Sequence, residues 1–278
     1  MFKPALRLPV PGARPQKRKF RKFRPRVRIL FENRKYIVKT VSDGDELEKA
    51  LQLRYDVFYE EILHKHKLRR IDKDGLDLKC DHMVIVERES GTFVGTYRLI
   101  CSLFTRKFYS AKEFAIKDVL KLPGVKLELG RACIHKDYRN AMLIAMLWKG
   151  ISEYIKATDA RYLFGCSSIK TMDADQIASV YLYLKQNLQL NDSLKVRPRG
   201  RFRIRKFAAN LAAYENEGRP AADTKSELLP PLLKSYLKAG AVVCGFPALD
   251  KSFRCVDFFT LMNISAVDEK YDKKFLKQ

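Results

Sequence analysis

The chain has 278 residues, of which 46% are hydrophobic and 11% aromatic, and its formal net charge at pH 7 is +23. This length and composition exclude a disordered protein and indicate a globular one with a sizeable core. No stretch reaches the roughly 18 to 20 apolar residues of a membrane-spanning helix, and no apolar segment follows the basic N-terminus as in a secretory signal. The six cysteines are scattered without a CxxC pair, so we expect a protein of the reducing cytoplasm.

The positive charge is concentrated in two segments. Residues 1–35 hold 13 Lys and Arg against one acid, and residues 195–206 hold seven more bases and no acid. The remainder of the chain is therefore nearly neutral. Such runs are either solvated surface or a docking surface for an acidic partner, which would be nucleic acid, an anionic membrane or an acidic carrier protein.

The first element along the chain is a proline-rich basic arm. We expect residues 1–35 to be extended and disordered, and residues 36–275 to form a single domain that begins with a strand at 36–41. The arm is a candidate membrane anchor, a contact for a carrier protein or an idle solvated tail. Three of its bases stand beside phenylalanines and are candidate contacts: Lys19, Arg21 and Lys22.

A helix is predicted next, over about 45–63, with Ser42 or Asp43 as its cap. Its apolar residues recur at helical spacing, and Arg54 falls among them. An arginine on a buried face is either paired within the core or directed at a ligand, and both interpretations stay open.

Strands and helices then alternate. A Ser90-Gly91 turn joins the two strands of a hairpin at 82–101. Later strands are predicted at 126–134, 162–169, 242–245 and 255–263, and helices at 141–157, 174–188 and 227–239. The basic segment 195–206 is either an exposed strand or a disordered loop. This order predicts a mixed α/β fold, with a central mixed sheet flanked by helices.

Charged residues inside apolar strands mark a candidate site. They are Asp72, Asp77, Asp81 and His82 before and at the hairpin, Arg98 within it, and Glu128 and Arg131 in the next strand. Structural ion pairs could account for all of these charges, but four charged side chains inside otherwise apolar strands are more than a core usually tolerates. Period-two alternation places Glu128 and Arg131 on opposite faces unless a bulge intervenes. There is no P-loop, GxGxxG, HExxH or GxSxG motif, and the four histidines lack metal-ligand spacing, so we expect no metal.

At these positions the sequence resembles one branch of the GNAT acyltransferase superfamily. That branch contains the ornithine N-acyltransferases of ornithine-lipid synthesis and, more remotely, the acyl-homoserine lactone synthases. The resemblance extends over about residues 36–275. It rests on runs that occur in this order: LRYDVFYEE from 53, DLKCDH from 77, GTYRL from 95, ELGRACI from 128, LWKGI from 147, LFGCSSI from 163, LPPLLKSY from 229 and GFPALD from 245.

The resemblance implies a GNAT fold whose parallel strands at 126–134 and 162–169 splay apart. It also implies transfer of a 3-hydroxyacyl chain from a thioester to the α-amine of ornithine, which gives lyso-ornithine lipid. Glycine, lysine, glutamine or S-adenosylmethionine are alternative acceptors. No cofactor is expected apart from the phosphopantetheine arm of the donor.

The loop after Arg139 departs from the pattern of coenzyme A-using relatives, because it has no glycine that would let backbone N–H groups approach a diphosphate. This favours acyl carrier protein as the donor. The carrier's acidic surface would meet five arginines: Arg139, Arg199, Arg201, Arg203 and Arg205. With the basic arm, we expect a cytoplasmic enzyme at the periphery of the inner membrane.

Aminolysis of a thioester needs a base, alignment of the amine and donors for an oxyanion. Glu128 is the expected base, although it is alternatively a structural partner of Arg98 or Arg131. An arginine would hold the acceptor carboxylate, with Arg54, Arg98 and Arg131 as candidates. Tyr181 or Tyr183 on the following helix is a candidate proton donor to the thiol, and the alternative for either tyrosine is packing against the sheet. The remaining predicted substrate contacts are Phe58, Asp77, Asp81, His82, Ser167 and Ser168.

A nucleic-acid-binding protein is the alternative class, because both basic segments interleave bases with aromatic residues. That function would need only those two segments. The charged residues inside strands instead need a buried polar site, so we favour an enzyme and expect no nucleic-acid partner.

Overall fold

The computed structural model describes residues 20, 22–187, 189–222 and 228–266. Within these residues the strands, labelled β1 to β12, are Leu30–Glu32, Tyr36–Thr40, Asp81–Glu87, Phe93–Cys101, Phe114–Ala115, Val125–Ile134, Ala160–Ile169, Leu190–Asn191, Arg197–Pro198, Val242–Cys244, Ala248–Asp250 and Cys255–Asn263. Ten of them form one mixed sheet with the order β1-β2-β3-β4-β6-β7-β12-β10-β8, and β11 pairs with β12. β5 and β9 form a separate two-stranded ladder.

The described α-helices, labelled α1 to α7, are Gly44–Tyr55, Ser110–Glu113, Lys117–Lys121, Ala141–Thr158, Ala174–Gln186, Phe207–Asn216 and Pro231–Lys238. A π-helical stretch, Asp56–Ile62, continues α1. Asp43 and Asp173 cap α1 and α5 by accepting backbone N–H bonds, and Asp43 is one of the two caps predicted for α1. No described helix combines the length and apolar character that crossing a bilayer would require.

The helices cover both faces of the sheet. Alternate residues of β3 point to opposite sides: Met83 packs in the cluster beneath α4, whereas Val84 packs beneath α1. α5 lies on the same side as α4, over Ile169 and Phe258. The central mixed sheet with helices on its faces confirms the predicted fold class.

The central parallel strands β6 and β7 separate partway along their length. Their ladder runs from Val125 and Ala160 to Glu128 and Phe164 and ends there. β6 nevertheless stays paired with β4 as far as Ile134, and β7 stays paired with β12 from Tyr162 to Ile169. The two strands therefore diverge within an otherwise continuous sheet, as the resemblance implies.

Gly165 lies where the two strands part. A Cβ atom built on this residue would lie 2.3 Å from the carbonyl oxygen of Leu129, which is far inside van der Waals contact. Only glycine allows the strands to approach this closely before they separate.

We therefore expect Gly165→Ala to lower the thermal unfolding temperature, with a stability loss of about 1 to 3 kcal/mol from the backbone shift that it forces. Gly130→Ala is the control on the facing strand, because its Cβ would meet nothing within 4 Å. Calorimetry of both variants tests this expectation, and equal unfolding temperatures would contradict it.

The end of the predicted arm is folded, which corrects the domain boundary at residue 36. Phe20 and Phe23 are buried in the cluster that contains α1, and β1 pairs with β2. Arg26 and Val27 donate their backbone N–H groups to the carboxylate of Asp81. Because these aromatic rings are buried in the protein, they are not available to insert into a membrane. Lys22 is exposed, Lys19 and Arg21 lie outside the described residues, and contact of these bases with a membrane or carrier protein stays a prediction.

The second basic segment is also structured, because apolar residues anchor it. Val196 and Phe202 are buried in the cluster beneath β12, and a 3-10 turn at Gly200–Phe202 follows β9. The segment is thus neither a disordered loop nor a long exposed strand. Its arginine side chains point outward: Arg199, Arg201, Arg203 and Arg205 are exposed.

Candidate active site

A cavity of about 340 Å³ occupies the gap between β6 and β7. Side chains from both faces of the sheet line it, because the sheet is open at this point. The α4 side is apolar, and the α1 side is polar. The same strands contribute to both halves, because successive side chains along a strand point to opposite faces of the sheet.

The apolar half lies between β4, β7, α4 and α7. Its wall is formed by Tyr97, Trp148, Leu163, Leu233, Tyr236 and Met262. The hydroxyl groups of Tyr97 and Tyr236 form a hydrogen bond with each other, and the rings of Trp148 and Tyr236 pack edge to face at 5.4 Å. This half of the cavity suits an acyl chain better than a charged ligand.

The polar half contains both residues that the sequence predicts as catalytic. Glu128 and Arg131 line the same cavity although their spacing alone predicts opposite faces. The reason is a bulge: Arg131 has a φ of 52°, and the pairing register between β4 and β6 shifts opposite it. The bulge turns the Arg131 side chain toward the face that carries Glu128.

Glu128 is buried, and its carboxylate is held by three donors. The backbone N–H groups of Tyr109 and Ser110 each lie 2.6 Å from it, and the Ser110 hydroxyl also donates to it. Burial raises the pKa of Glu128, and these hydrogen bonds and the nearby Arg98 oppose that rise. Its conformation is thus fixed by the start of α2.

Arg54 and Arg98 belong to a buried ion-pair network behind the cavity. Arg54 contacts Asp72 at 2.8 Å and Asp77 at 2.7 Å, and Arg98 contacts Asp77 at 3.2 Å. Burial alone would raise the pKa of Asp77, but Arg54, His82 and Arg98 hold it far below its usual range. Of the two interpretations of Arg54, pairing within the core is the one observed.

Arg131 packs against two aromatic rings. Its guanidinium carbon lies 4.7 Å from the centre of the Tyr109 ring and 5.1 Å from that of Phe253. Its Nε lies 3.2 Å from Asp72, which ties it to the network. Burial would lower the pKa of Arg131, but Asp72 keeps it above its ordinary value, so the group is a fixed cation at the cavity wall.

Four other predicted substrate contacts line the cavity: Phe58, Arg98, Ser167 and Ser168. Asp77, Asp81 and His82 are buried outside its lining. Asp81 accepts the hydroxyl of Tyr154 at 2.8 Å besides the N–H groups of residues 26 and 27. His82 Nε2 lies 2.9 Å from the carbonyl oxygen of Asp77, and burial lowers the pKa of His82 to about 4.

Tyr181 is placed away from the site, which corrects its predicted role as proton donor. It lies on α5, where its ring packs against Phe207 at 5.4 Å and Phe246 at 5.7 Å. It is absent from the cavity wall. The Tyr181 side chain packs instead in an apolar cluster formed by α5, α6 and the end of the sheet.

Sequence reasoning missed several cavity residues: Tyr109, Asp250, Phe253 and Asp257. A signal existed for Asp257, since it is an acid inside the apolar strand β12, the same pattern that pointed to Glu128. Tyr109 and Phe253 come from loops, and no periodic pattern marks them.

Several known proteins are similar to this chain. Residues 53–149 match the family model for an acetyltransferase (GNAT) domain. The L-ornithine N(alpha)-acyltransferase of Rhizobium meliloti (strain 1021) is 30% identical over 241 residues, covering 81% of this chain and 79% of that protein. The enzyme of the same name from Rhodobacter capsulatus is 28% identical over 256 residues, covering 87% and 95%. A solved CoA-dependent acyl-homoserine lactone synthase has 16% identity, 84% coverage of both chains and a TM-score of 0.45.

The GNAT domain, the splayed sheet and the two-sided cavity define an acyltransferase. The match to the Rhizobium enzyme covers most of both chains, so the chain belongs to the L-ornithine N(alpha)-acyltransferase family. The resemblance stated from the sequence motifs and the expectation of an enzyme are both confirmed.

Proposed function

We propose that the chain transfers a long acyl group from the thioester of acyl carrier protein to the α-amine of ornithine. The observation that carries this proposal is the single cavity that joins an apolar half to a polar half through the sheet. A thioester placed in the gap would extend its acyl chain to one side and meet its amine acceptor on the other. The family name supports ornithine as the acceptor.

The gap itself supplies donors for the oxyanion. From Leu129 onward β6 has no hydrogen-bonding partner in β7, so backbone N–H groups directed toward the gap are available. Such fixed dipoles stabilise the negative charge that develops on the carbonyl oxygen when an amine attacks. Their position on a paired strand keeps them rigid.

Arg131 is positioned to bind the acceptor carboxylate. It is a permanent cation at the wall of the polar half, and a planar guanidinium can engage a carboxylate with two hydrogen bonds. The rings of Tyr109 and Phe253 pack against it and restrict its orientation. The α-amine of an amino acid held in this way lies next to its carboxylate, toward Glu128.

Glu128 would remove the proton of the α-ammonium, either directly or through one water. The free amine then attacks the thioester carbon, a C–N bond forms, and the C–S bond breaks to release the phosphopantetheine sulfur. The nitrogen loses a second proton as the amide forms, so that one of the two protons ends on the sulfur and the other passes from Glu128 to solvent. A carboxyl whose pKa is raised by burial is a stronger base than an exposed one, which favours this role.

We expect Glu128→Gln to reduce turnover by about 10²- to 10⁴-fold. It also has a structural cost of about 1 to 3 kcal/mol, because an amide nitrogen would face one of the N–H donors from Tyr109 and Ser110. Ser110→Ala is the control, because it removes one bond to Glu128 but leaves the carboxylate. It should keep turnover within about tenfold. Near-wild-type turnover of Glu128→Gln across a full pH range would remove Glu128 as the base.

Acyl carrier protein is favoured as donor by the surface near α4. Asn140 caps this helix with its own side chain, which accepts the N–H of Leu143, and Arg139 pairs with Glu61 at 2.7 Å. The helix start is thus occupied by its own residues, without the glycines that bring backbone close to a diphosphate. The four exposed arginines of the second basic segment would meet the carrier's acidic surface.

The test is a reaction of the full chain with ornithine and either acyl carrier protein or coenzyme A as the thioester, with the product identified by mass spectrometry. We expect N-acyl-ornithine, and a much higher kcat/KM with the carrier protein. Changing Arg199, Arg201, Arg203 and Arg205 together to Gln should raise the KM for the carrier protein about tenfold or more and leave the KM for ornithine unchanged.

A matched control removes four exposed bases elsewhere: Arg88, Lys156, Arg161 and Lys185. It should leave the KM for the carrier protein unchanged. Equal efficiency with both donors would overturn the assignment of the carrier protein, and absence of acyl-ornithine would overturn the assignment of the acceptor.

A further inference from the structure

Three carboxyl groups converge at the polar end of the cavity, away from the ion-pair network. They belong to Glu113 at the end of α2, Asp250 at the end of β11 and Asp257 in β12. All three side chains are buried, and one oxygen of each lies within 4.8 Å of the others. Asp250 and Asp257 line the cavity directly.

This carboxyl cluster lacks a positive partner within the described residues. None of its members forms an ion pair with a lysine or arginine there, and Oε1 of Glu113 is buried without any hydrogen-bond partner. The other two are only partly satisfied: Asp250 accepts N–H bonds from residues 252 and 253, and Asp257 accepts the hydroxyl of Ser168. An unpaired buried carboxylate needs a cation or a proton.

The neighbouring ion-pair network offers a comparison, because its acids are paired with arginines. There, Asp72, Asp74 and Asp77 are matched by three arginines, and burial is offset by ion pairs of 2.7 to 3.2 Å. The carboxyl cluster is similarly buried, but two of its members, Asp250 and Asp257, face an open cavity and form no ion pair with the nearby Arg131. Burial and mutual repulsion raise the pKa of Glu113 and of Asp257, so the cluster holds a proton when no cation is bound.

We propose that the carboxyl cluster binds the side-chain ammonium of a diamino acid acceptor. This inference rests on the proposed function and names the group that selects ornithine over neutral amino acids. An ammonium has three N–H donors, which matches three carboxyl groups converging from separate elements. With the α-carboxylate at Arg131 and the α-amine at the gap, the side chain extends along β7 toward Asp257, which pairs with Ser168.

Binding is coupled to proton release. The entering ammonium replaces the proton shared by Glu113 and Asp257, and that proton leaves to solvent. The groups that face this pair are Asp250, Tyr109, Cys166, Cys255, Ser168 and Arg131. Arg131 already pairs with Asp72, and the thiols and the phenol have raised pKa values, so they remain neutral and do not supply the countercharge.

The test compares ornithine with norvaline, which has the same carbon chain without the side-chain amine. The wild-type chain should acylate ornithine with a far higher kcat/KM than norvaline. Glu113→Gln and Asp257→Asn should each lower kcat/KM for ornithine about 100-fold, mainly through KM, and change that for norvaline less than about threefold. Asp118→Asn is the matched control: it removes the same charge from α3, the next helix along the chain, and should not change the ornithine-to-norvaline ratio.

Calorimetry in buffers of different ionisation enthalpy supplies a readout that does not depend on turnover. Ornithine binding to the wild-type chain should release close to one proton, and norvaline binding none. Loss of this proton release in Glu113→Gln supports the carboxyl cluster as the ammonium site even if the acyl product is not the one proposed. If ornithine is acylated but norvaline serves equally well, the proposed function stands and the cluster assignment falls.

A divalent cation is the competing occupant, because carboxylate oxygens also ligate hard metals. Magnesium or calcium added alone is the probe. If either ion raises the unfolding temperature in a manner that Glu113→Gln abolishes, and turnover requires it, the cluster is a metal site and the proposal is overturned. Absence of any such shift supports the ammonium site.

Discussion

Asp77→Ala is expected to destabilise the protein by about 3 to 5 kcal/mol, because it leaves buried guanidinium groups without their countercharge. Asp77 is 1% exposed and contacts Arg54 at 2.7 Å and Arg98 at 3.2 Å. Its second oxygen also accepts the N–H of Asp74 at 2.7 Å. For a chain of this size such a loss corresponds to a decrease of about 10 °C in the unfolding temperature.

Asp74→Ala is the matched comparison, because Asp74 contacts the same Arg98 at 2.7 Å but its side chain is 28% exposed. Water can replace this carboxylate, so we expect a loss of about 1 to 2 kcal/mol. Denaturant titrations of both variants measure the difference. Equal losses would show that the network is screened by solvent and does not behave as a buried ion-pair system.

The fold could be predicted largely from local patterns. The hairpin β3-β4, the caps Asp43 and Asp173, and the strands that carry Glu128 and Arg131 follow from alternation, capping preference and turn residues. These features depend on neighbours in the sequence, so the sequence contains their cause. The family resemblance added the divergence of β6 and β7, for which Gly165 is the local reason.

The parts that sequence patterns did not predict depend on contacts between distant segments. Nothing local signals that Phe20 and Phe23 pack under α1, or that Tyr181 is taken up by Phe207 and Phe246. The bulge at Arg131 changes which face its side chain occupies without changing the composition of the strand. The acids Asp72 and Asp77 were placed in the site, but the arginines Arg54 and Arg98 neutralise them.

The pH dependence of stability follows from the difference between buried acids that pair with an arginine and buried acids that do not. Burial and the neighbouring Asp257 raise the pKa of Glu113 from 4.5 to about 9. Above pH 4.5 the unfolded chain has lost this proton and the folded chain still holds it, so the free energy of unfolding falls as pH rises. His82 acts in the opposite sense below its ordinary pKa of 6.5, since it folds as the neutral ring with its pKa lowered to about 4.

Over pH 6.5 to 8 the proton on Glu113 should therefore cost the unliganded wild-type protein about 1.4 kcal/mol of stability per pH unit more than is lost by Glu113→Gln. Glu113→Gln has no proton to release at this position, whereas His82 and the buried cysteines, whose pKa values burial shifts, contribute alike to both proteins and cancel in the difference. Saturating ornithine should bring the wild-type slope toward that of Glu113→Gln, because the bound ammonium favours the charged carboxylates. Urea titrations at pH 6.5, 7.2 and 8.0 measure these slopes. Equal slopes for the wild-type chain and Glu113→Gln would mean that Glu113 is already ionised at neutral pH and that the carboxyl cluster has another source of positive charge.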